Sequence, residues 1–410
     1  MKFMLFMLPV VPGTKEERRR LRPIAGNTER FQSMLEQTTE LARVADDLGF
    51  DMIAFPEHFL QTEGLEMGGT PSLYAHLAAQ TKDIKIGPMG FVLPGWNPLR
   101  LACEVGWLDQ ITRGRIFLGL ARGYQTRWLN PMAQQLNISA TMSDQSAIDL
   151  ANREAFDEVL KILKLAWGDE PFSFKGKYYE YPYPYETGTP WRPLKWTQEF
   201  GAPGEIEDGV IRKIMVVPKP YQKPHPPLFQ AFSVSESTIV SCARNGIVPM
   251  TLVPWLPNLK RIAELYRSEA HKSGYNWRLG ERIGVSKYVY IGADKQDAYK
   301  RAQLGSPGTF FYDFSSQFGF CEALRMPEDE EKYPSGKVPL PPSEWTIERM
   351  DRCGYLDAGT PAEVRRRTDK LVEEVNPEYY IINTDQGLRP QKECIEELRT
   401  FAREVMDHYH

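Results

Sequence analysis

The chain opens on a compact apolar run, residues 2–8, the pattern of a parallel strand buried on both faces. A helical period follows. Phe31, Met34, Leu35, Thr38, Leu41, Ala42, Ala45 and Leu48 recur three or four residues apart, with Asn27 placed as N-cap and Gly49 where a left-handed stop is wanted. Residues 51–55 return as a strand, 72–81 as a helix, 84–93 as a strand, 98–108 as a helix and 115–121 as a fourth strand. The alternation resumes with strands at 227–231, 247–252, 284–291 and 378–383 and helices at 236–245, 259–272 and 393–406. Thr360, Pro361 and Glu363 make a capping box with proline in the first turn of a helix that runs to about Val375.

Eight strand candidates alternating with helices predict a parallel sheet closed as a (β/α)8 TIM barrel. No Gly-x-Gly-x-x-Gly turn follows the first strand, which counts against a dinucleotide-binding sheet. Two stretches interrupt the repeat, at about 167–226 and 304–345, both dense in aromatic residues and proline. They are expected as hairpins and short helices inserted over the C-terminal face of one barrel domain spanning 1–410.

Composition narrows the function classes. At 42% hydrophobic and 25% charged residues the chain is of ordinary globular type, and a net charge of −4 lacks the basic footprint of a nucleic-acid binder. Five cysteines without a Cys-x-x-Cys pair suit a reducing cytoplasm. No segment approaches the roughly 20 apolar residues of a membrane span. No His, Cys and carboxylate cluster has metal-ligand spacing, so no metal is expected.

In a barrel of this kind the chemistry lies at the C-terminal strand ends. After the second strand comes Glu57-His58, after the third Asn97, after the fourth Arg122, and after the fifth Ser233-Val234-Ser235. An imidazole suits proton transfer near neutral pH. A guanidinium offers forked donors to phosphate, and a serine-rich helix start offers free N–H groups to a dianion. Each also has a structural reading. His58 could bond a backbone carbonyl, and Glu57 could orient it or brace the barrel. Arg122 could pair with a helix carboxylate, and Asn97 could serve the turn before Pro98. Ser233 with Glu236 could be an ordinary capping box.

Four phrases resemble the bacterial-luciferase-like flavin-dependent monooxygenases: ADDLGFDMIAFPEHF, IKIGPMGFVLPGWNPLRLACEVGWLDQITRGRIFLGLARGY, PPLFQAFSVSES and GTPAEVRRRTDKLVEE. The resemblance implies that His58 lies near a flavin, with Glu57 beside it. It implies that Asn97 meets the isoalloxazine, and that Arg122 with Ser233, Val234 and Ser235 receives the phosphate. Met89 and Gly90 align where the family often has a non-prolyl cis peptide. The implied activity is a two-component monooxygenase. It would take reduced FMN from an NAD(P)H-dependent flavin reductase and oxidise a hydrophobic organic molecule with O2 through a flavin C4a-peroxide. Relatives are commonly homodimers or homotetramers. The alternatives are hydride transfer with a 5-deazaflavin (F420) and a flavin-binding barrel without catalysis. Phe59, Trp96 and Ala121 depart from the family pattern, where histidines and luciferase's reactive cysteine are common, and these departures argue against light emission.

Overall fold

The computed structural model describes residues 1–142, 144–233 and 235–409; the side chains of Ser233 and Phe310 also lie outside the described parts. Its longer elements begin β1 (Lys2–Phe6), α1 (Thr28–Asp47), β2 (Met52–Phe55), α2 (Pro71–Gln80), β3 (Lys85–Pro88), α3 (Pro98–Thr112) and β4 (Leu118–Ala121). Next come α4 (Ala147–Trp167), β5 (Leu228–Ser233), α5 (Glu236–Asn245), β6 (Val248–Thr251), α6 (Leu256–Lys272) and β7 (Gly284–Ile291). The chain closes with α7 (Lys295–Leu304), β8 (Leu356–Gly359), α8 (Pro361–Glu374), β9 (Tyr379–Asn383) and α9 (Gln391–Glu404). Contacts divide it into two units. One holds Met1–Phe91, Phe117–Leu120 and Leu228–His410; the other holds Val92–Ile116 and Ala121–Pro227.

The first unit is a nearly closed parallel barrel flanked by helices, the TIM-barrel class. The strand order is β3-β2-β1-β9-β7-β6-β5-β4, every pairing parallel, and the Phe117 N–H donates to the Ile86 carbonyl across the remaining gap at 3.3 Å. Glycines allow that closure. A Cβ on Gly87 would lie 2.3 Å from the Phe117 oxygen, and one on Gly90 would lie 2.4 Å from the Gly119 carbonyl carbon. Alternate strand residues fill the interior, as period two requires: Met4 and Phe6 from β1, Met52 and Ala54 from β2, Val248 and Met250 from β6.

Strand β8 is a ninth strand that the sequence pattern misses. β7 is eight residues long; its first half pairs with β9 and its second half with β8. LDAG carries an acid and a glycine and reads as a turn. Asp357 is fully buried because the Lys287 ammonium lies 3.1 Å away and the Tyr380 hydroxyl donates to it at 2.8 Å.

The stretch at 304–345 packs its own core. Trp345 stacks on Phe311 at 4.9 Å and donates its indole N–H to the Pro307 carbonyl, and both rings join Tyr288 and Leu356 in one buried cluster. Its aromatic residues are therefore largely structural.

In the second unit α4 packs on α3, with the Trp167 indole donating to the Ala102 carbonyl at 3.3 Å. The buried Asp109 carboxylate accepts from the Gln222 backbone and side chain, both at 2.8 Å, and so ties the end of the 167–226 stretch to α3. That stretch forms the expected hairpin, Phe174–Lys175 against Glu180–Tyr181, a small three-stranded sheet and one short helix. Among the described residues no helix is long and apolar enough to cross a membrane.

Candidate active site

In the barrel unit the second strand ends on Phe55-Pro56-Glu57-His58, and the two functional candidates are buried there, Glu57 2% and His58 8% exposed. The chain turns back through 60–69 so that His58 bridges Gly68 in antiparallel fashion. This return brings a residue that sequence reasoning missed. The carboxylate of Glu66, 4% exposed, stands with Oε2 3.1 Å from His58 Nδ1. Glu66 lies in no motif, and its positive φ of 47° is not written in any local pattern.

At the end of β3 the Met89–Gly90 peptide bond is cis, the conformation the resemblance anticipated. At the end of β5 the register against β6 shifts between Gln230 and Ser233, and Phe232 takes φ 45°. The N-cap of α5 is Ser235, whose hydroxyl accepts from the Thr238 N–H at 3.4 Å. The alternative reading of Ser233 with Glu236 as a capping box is thus corrected: the helix starts at 236 as expected, so the residue just before it, Ser235, is the cap. Val234 and the Ser233 side chain lie outside the described residues. The hydroxyls of Ser235, Ser237 and Thr238 gather at this helix start, at 3.3 and 2.9 Å from Ser235 Oγ. With the N–H groups of the first turn, they form a donor set suited to phosphate.

The second unit holds the other two candidates. Asn97 caps α3, its amide oxygen accepting from the Leu99 and Arg100 N–H groups at 3.1 Å each, which is the turn role. Two tyrosines of the hairpin stack near it, Tyr179 on Tyr181 at 6.1 Å, and the Tyr179 hydroxyl donates to the Trp96 carbonyl. Burial pushes the Tyr179 phenol up to about 12, with Glu158 adding to the rise. Burial raises Tyr181 as well, and the Asn97 amide opposes that rise.

Arg122 lies with Nη1 2.5 Å from Asp149 Oδ1, its side chain 11% exposed and the carboxylate fully buried. Burial pushes this guanidinium down and Arg153 adds to the effect, while Asp149 opposes it. The anticipated pairing with a helix carboxylate is therefore present.

The barrel thus carries a buried imidazole at the end of β2 and, at the end of β5, a bulge that feeds a serine-capped helix. The family model for luciferase-like monooxygenases matches residues 1–375, and the chain belongs to that family. It is 28% identical over 268 residues to a 3,6-diketocamphane 1,6-monooxygenase of Pseudomonas putida, covering 64% of this chain and 65% of that relative. The chain thus spans just under two thirds of that protein's length. Among solved structures, the oxygenating constituent of the P. putida 3,6-diketocamphane monooxygenase in complex with FMN superposes with TM-score 0.69 at 21% identity, covering 99% of this chain and 97% of that one. An F420-dependent secondary alcohol dehydrogenase superposes with TM-score 0.60 at 13% identity, covering 99% and 98%. These two likenesses establish the fold alone.

Proposed function

We propose that this chain is the oxygenating component of a two-component flavin-dependent monooxygenase. It takes reduced FMN from a separate NAD(P)H-dependent reductase and inserts one atom of O2 into a hydrophobic organic substrate. Family membership supports the class of reaction, and the buried His58 at the end of β2 is the observation that carries the reading at the site. When bound, reduced FMN supplies the two electrons that O2 needs beyond those of the substrate.

The donor set fits FMN. In the barrel unit, the Ser235 end of α5 is the group that would hold the phosphate. Gly90 leaves no side chain at the end of β3. His58 holds or moves one proton during oxygen transfer, and its burial keeps bulk water from doing so instead. The diketocamphane monooxygenases make Baeyer–Villiger insertion beside the carbonyl of a cyclic ketone the first reaction to try.

Anaerobic titration with reduced FMN and, separately, a reduced 5-deazaflavin tests the cofactor. Admitting O2 with a bicyclic diketone and analysing for the lactone tests the reaction. Preferential FMN binding and oxygen-dependent lactone are expected. Preference for the deazaflavin without oxygen uptake would replace the reading with a hydride-transfer enzyme on the same fold. Binding of both flavins without turnover of any ketone or aldehyde offered would leave a flavin-binding barrel.

A further inference from the structure

The loop between β2 and α2 is built to deliver one carboxylate. Its outer part is clamped to the segment after β1: Val11 N–H donates to the Gly64 carbonyl at 2.8 Å, Met67 N–H to Pro9 at 2.7 Å, and the Arg18 guanidinium to Glu63 at 2.9 Å. Its return limb lies flat on the strand end. A Cβ on Gly69 would sit 2.4 Å from Glu57 Cα, and Gly68 bridges His58. Between clamp and limb stands Glu66, in the left-handed region at φ 47°. That conformation costs a non-glycine residue about 1 kcal/mol or more, so the surrounding contacts hold it in place.

The side chain so placed is buried, and a buried carboxylate needs a partner. Among the described residues no lysine or arginine pairs with Glu66. The charged-group partner it faces is the His58 imidazole, at 3.1 Å between Oε2 and Nδ1, with side-chain exposures of 8% for His58 and 5% for Glu66. The two atoms lie at ion-pair distance and make no hydrogen bond to each other in this geometry.

We propose that Glu66 is a positioning residue that fixes the tautomer of His58. A neutral imidazole carries one proton, and a carboxylate facing Nδ1 favours the Nδ1–H form. Nε2 is then the ring's acceptor atom, the one that takes up and returns a proton in the reaction. The carboxylate also stabilises the imidazolium formed when it does so, the role an aspartate plays towards the histidine of a serine protease. This inference rests on the reading of His58 given under Proposed function.

The competing account is that Glu66 merely anchors the loop, and a tautomer measurement separates the two. Full-length protein with 15N-labelled histidine is compared as wild type, E66Q and E66D, with H58N used to assign the His58 signals. In the wild type, His58 is expected as a single species with a protonated-type Nδ1 and an unprotonated-type Nε2. In E66Q a mixture with the Nε2–H form is expected, because the amide can donate as well as accept. In E66D, which keeps the charge, the wild-type species should persist in whole or in part.

Turnover follows the same order. E66Q should lower kcat by about ten- to a hundred-fold with little change in KM or in reduced-FMN affinity, and E66D should recover part of the loss. An unchanged tautomer in E66Q, or a loss confined to KM, would overturn the role of Glu66 and leave that of His58 standing. Full oxygenation by H58N would instead overturn the reading of His58, and with it any part Glu66 plays in turnover, whatever the spectra show. E66D is the milder variant should E66Q fail to fold; a neutral-amide-like spectrum in folded E66D would count against the proposal.

Discussion

Arg122 and Asp149 form a buried ion pair of the second unit, Nη1 to Oδ1 2.5 Å, across 27 residues of chain. The same carboxylate accepts from the Thr141 hydroxyl at 2.8 Å and the Gln145 N–H at 3.0 Å. Burial alone would raise the Asp149 carboxyl, but Thr141 and Arg122 outweigh burial and hold it below the usual carboxylate value. Such a group contributes stability that is fully present above its unfolded value, about 3.9, and is lost as the pH falls through the lower folded value. D149N should therefore cost about 3–5 kcal/mol in urea melts at neutral pH, since it leaves a buried guanidinium without its carboxylate. The deficit should shrink below about pH 4, where the wild type loses the same interaction. A deficit equally large in acid would mean that shape, not charge, holds this contact.

Phosphate recognition at the start of α5 can be isolated by comparing reduced FMN with reduced riboflavin, which lacks the phosphate. S235A removes the N-cap and should cost about 1 kcal/mol of stability. It should weaken FMN by several-fold and riboflavin hardly at all. Equal weakening of both flavins would move the phosphate away from Ser235.

Gly90 is a packing requirement of the barrel. Its missing Cβ would lie 2.4 Å from the Gly119 carbonyl carbon and 2.5 Å from the Leu120 nitrogen, both backbone atoms of β4. No rotamer change can relieve such a clash, so β3 and β4 must part. G90A should cost at least about 3 kcal/mol, at or beyond the upper range of ordinary overpacking. G26A serves as control, because its nearest contact would be the Pro23 ring at an ordinary 3.5 Å; its cost should stay below about 1 kcal/mol. Comparable melting of the two variants would show that β4 yields easily.

The elements legible in the sequence are those whose pattern is local. Asn27 caps α1 by accepting the Arg30 N–H, and Thr360 with Glu363 forms a complete capping box on α8; both follow from a few adjacent residues. The eight expected strands are all found, because apolar runs between helical periods leave little choice. Helix α4 was readable too, with Ser146 as N-cap and Val159, Ile162, Leu163 and Ala166 on one buried face, but the strand–helix alternation gives no reason to look there. What a local pattern cannot carry is a partner brought from elsewhere. Asp357 is accommodated in β8 by Lys287, Tyr380 and Arg367, and Glu66 meets His58 through a loop clamped by residues far back in the chain. His58 is legible as a candidate because a strand end in a barrel is a position with known chemistry, whereas Glu66 has no such address.

A second buried cluster shows how strongly burial and pairing compete in this fold. Arg389, whose side chain is 3% exposed, bridges two carboxylates, with Nη1 3.2 Å from Asp385 Oδ2 and 2.6 Å from Glu397 Oε2. The Tyr290 hydroxyl and the Ser306 N–H donate to Asp385 at 2.8 and 2.7 Å, and the Ile291 N–H donates to Glu397 at 2.8 Å. Burial still pushes both carboxyls above their usual range, against the pull of Arg389. A carboxyl raised in the folded chain favours folding most below its unfolded value, and that advantage is lost as the pH rises through the folded one. R389M removes the one cation that opposes the rise, so it should steepen this dependence. The variant should lose about 3–5 kcal/mol near pH 8, where two buried carboxylates would have to ionise together, and clearly less near pH 4, about the unfolded carboxyl value, where raised carboxyls keep their protons. Urea melts of both proteins at the two pH values measure the difference. A deficit independent of pH would mean that lost packing of the guanidinium, not uncompensated charge, is what the substitution costs.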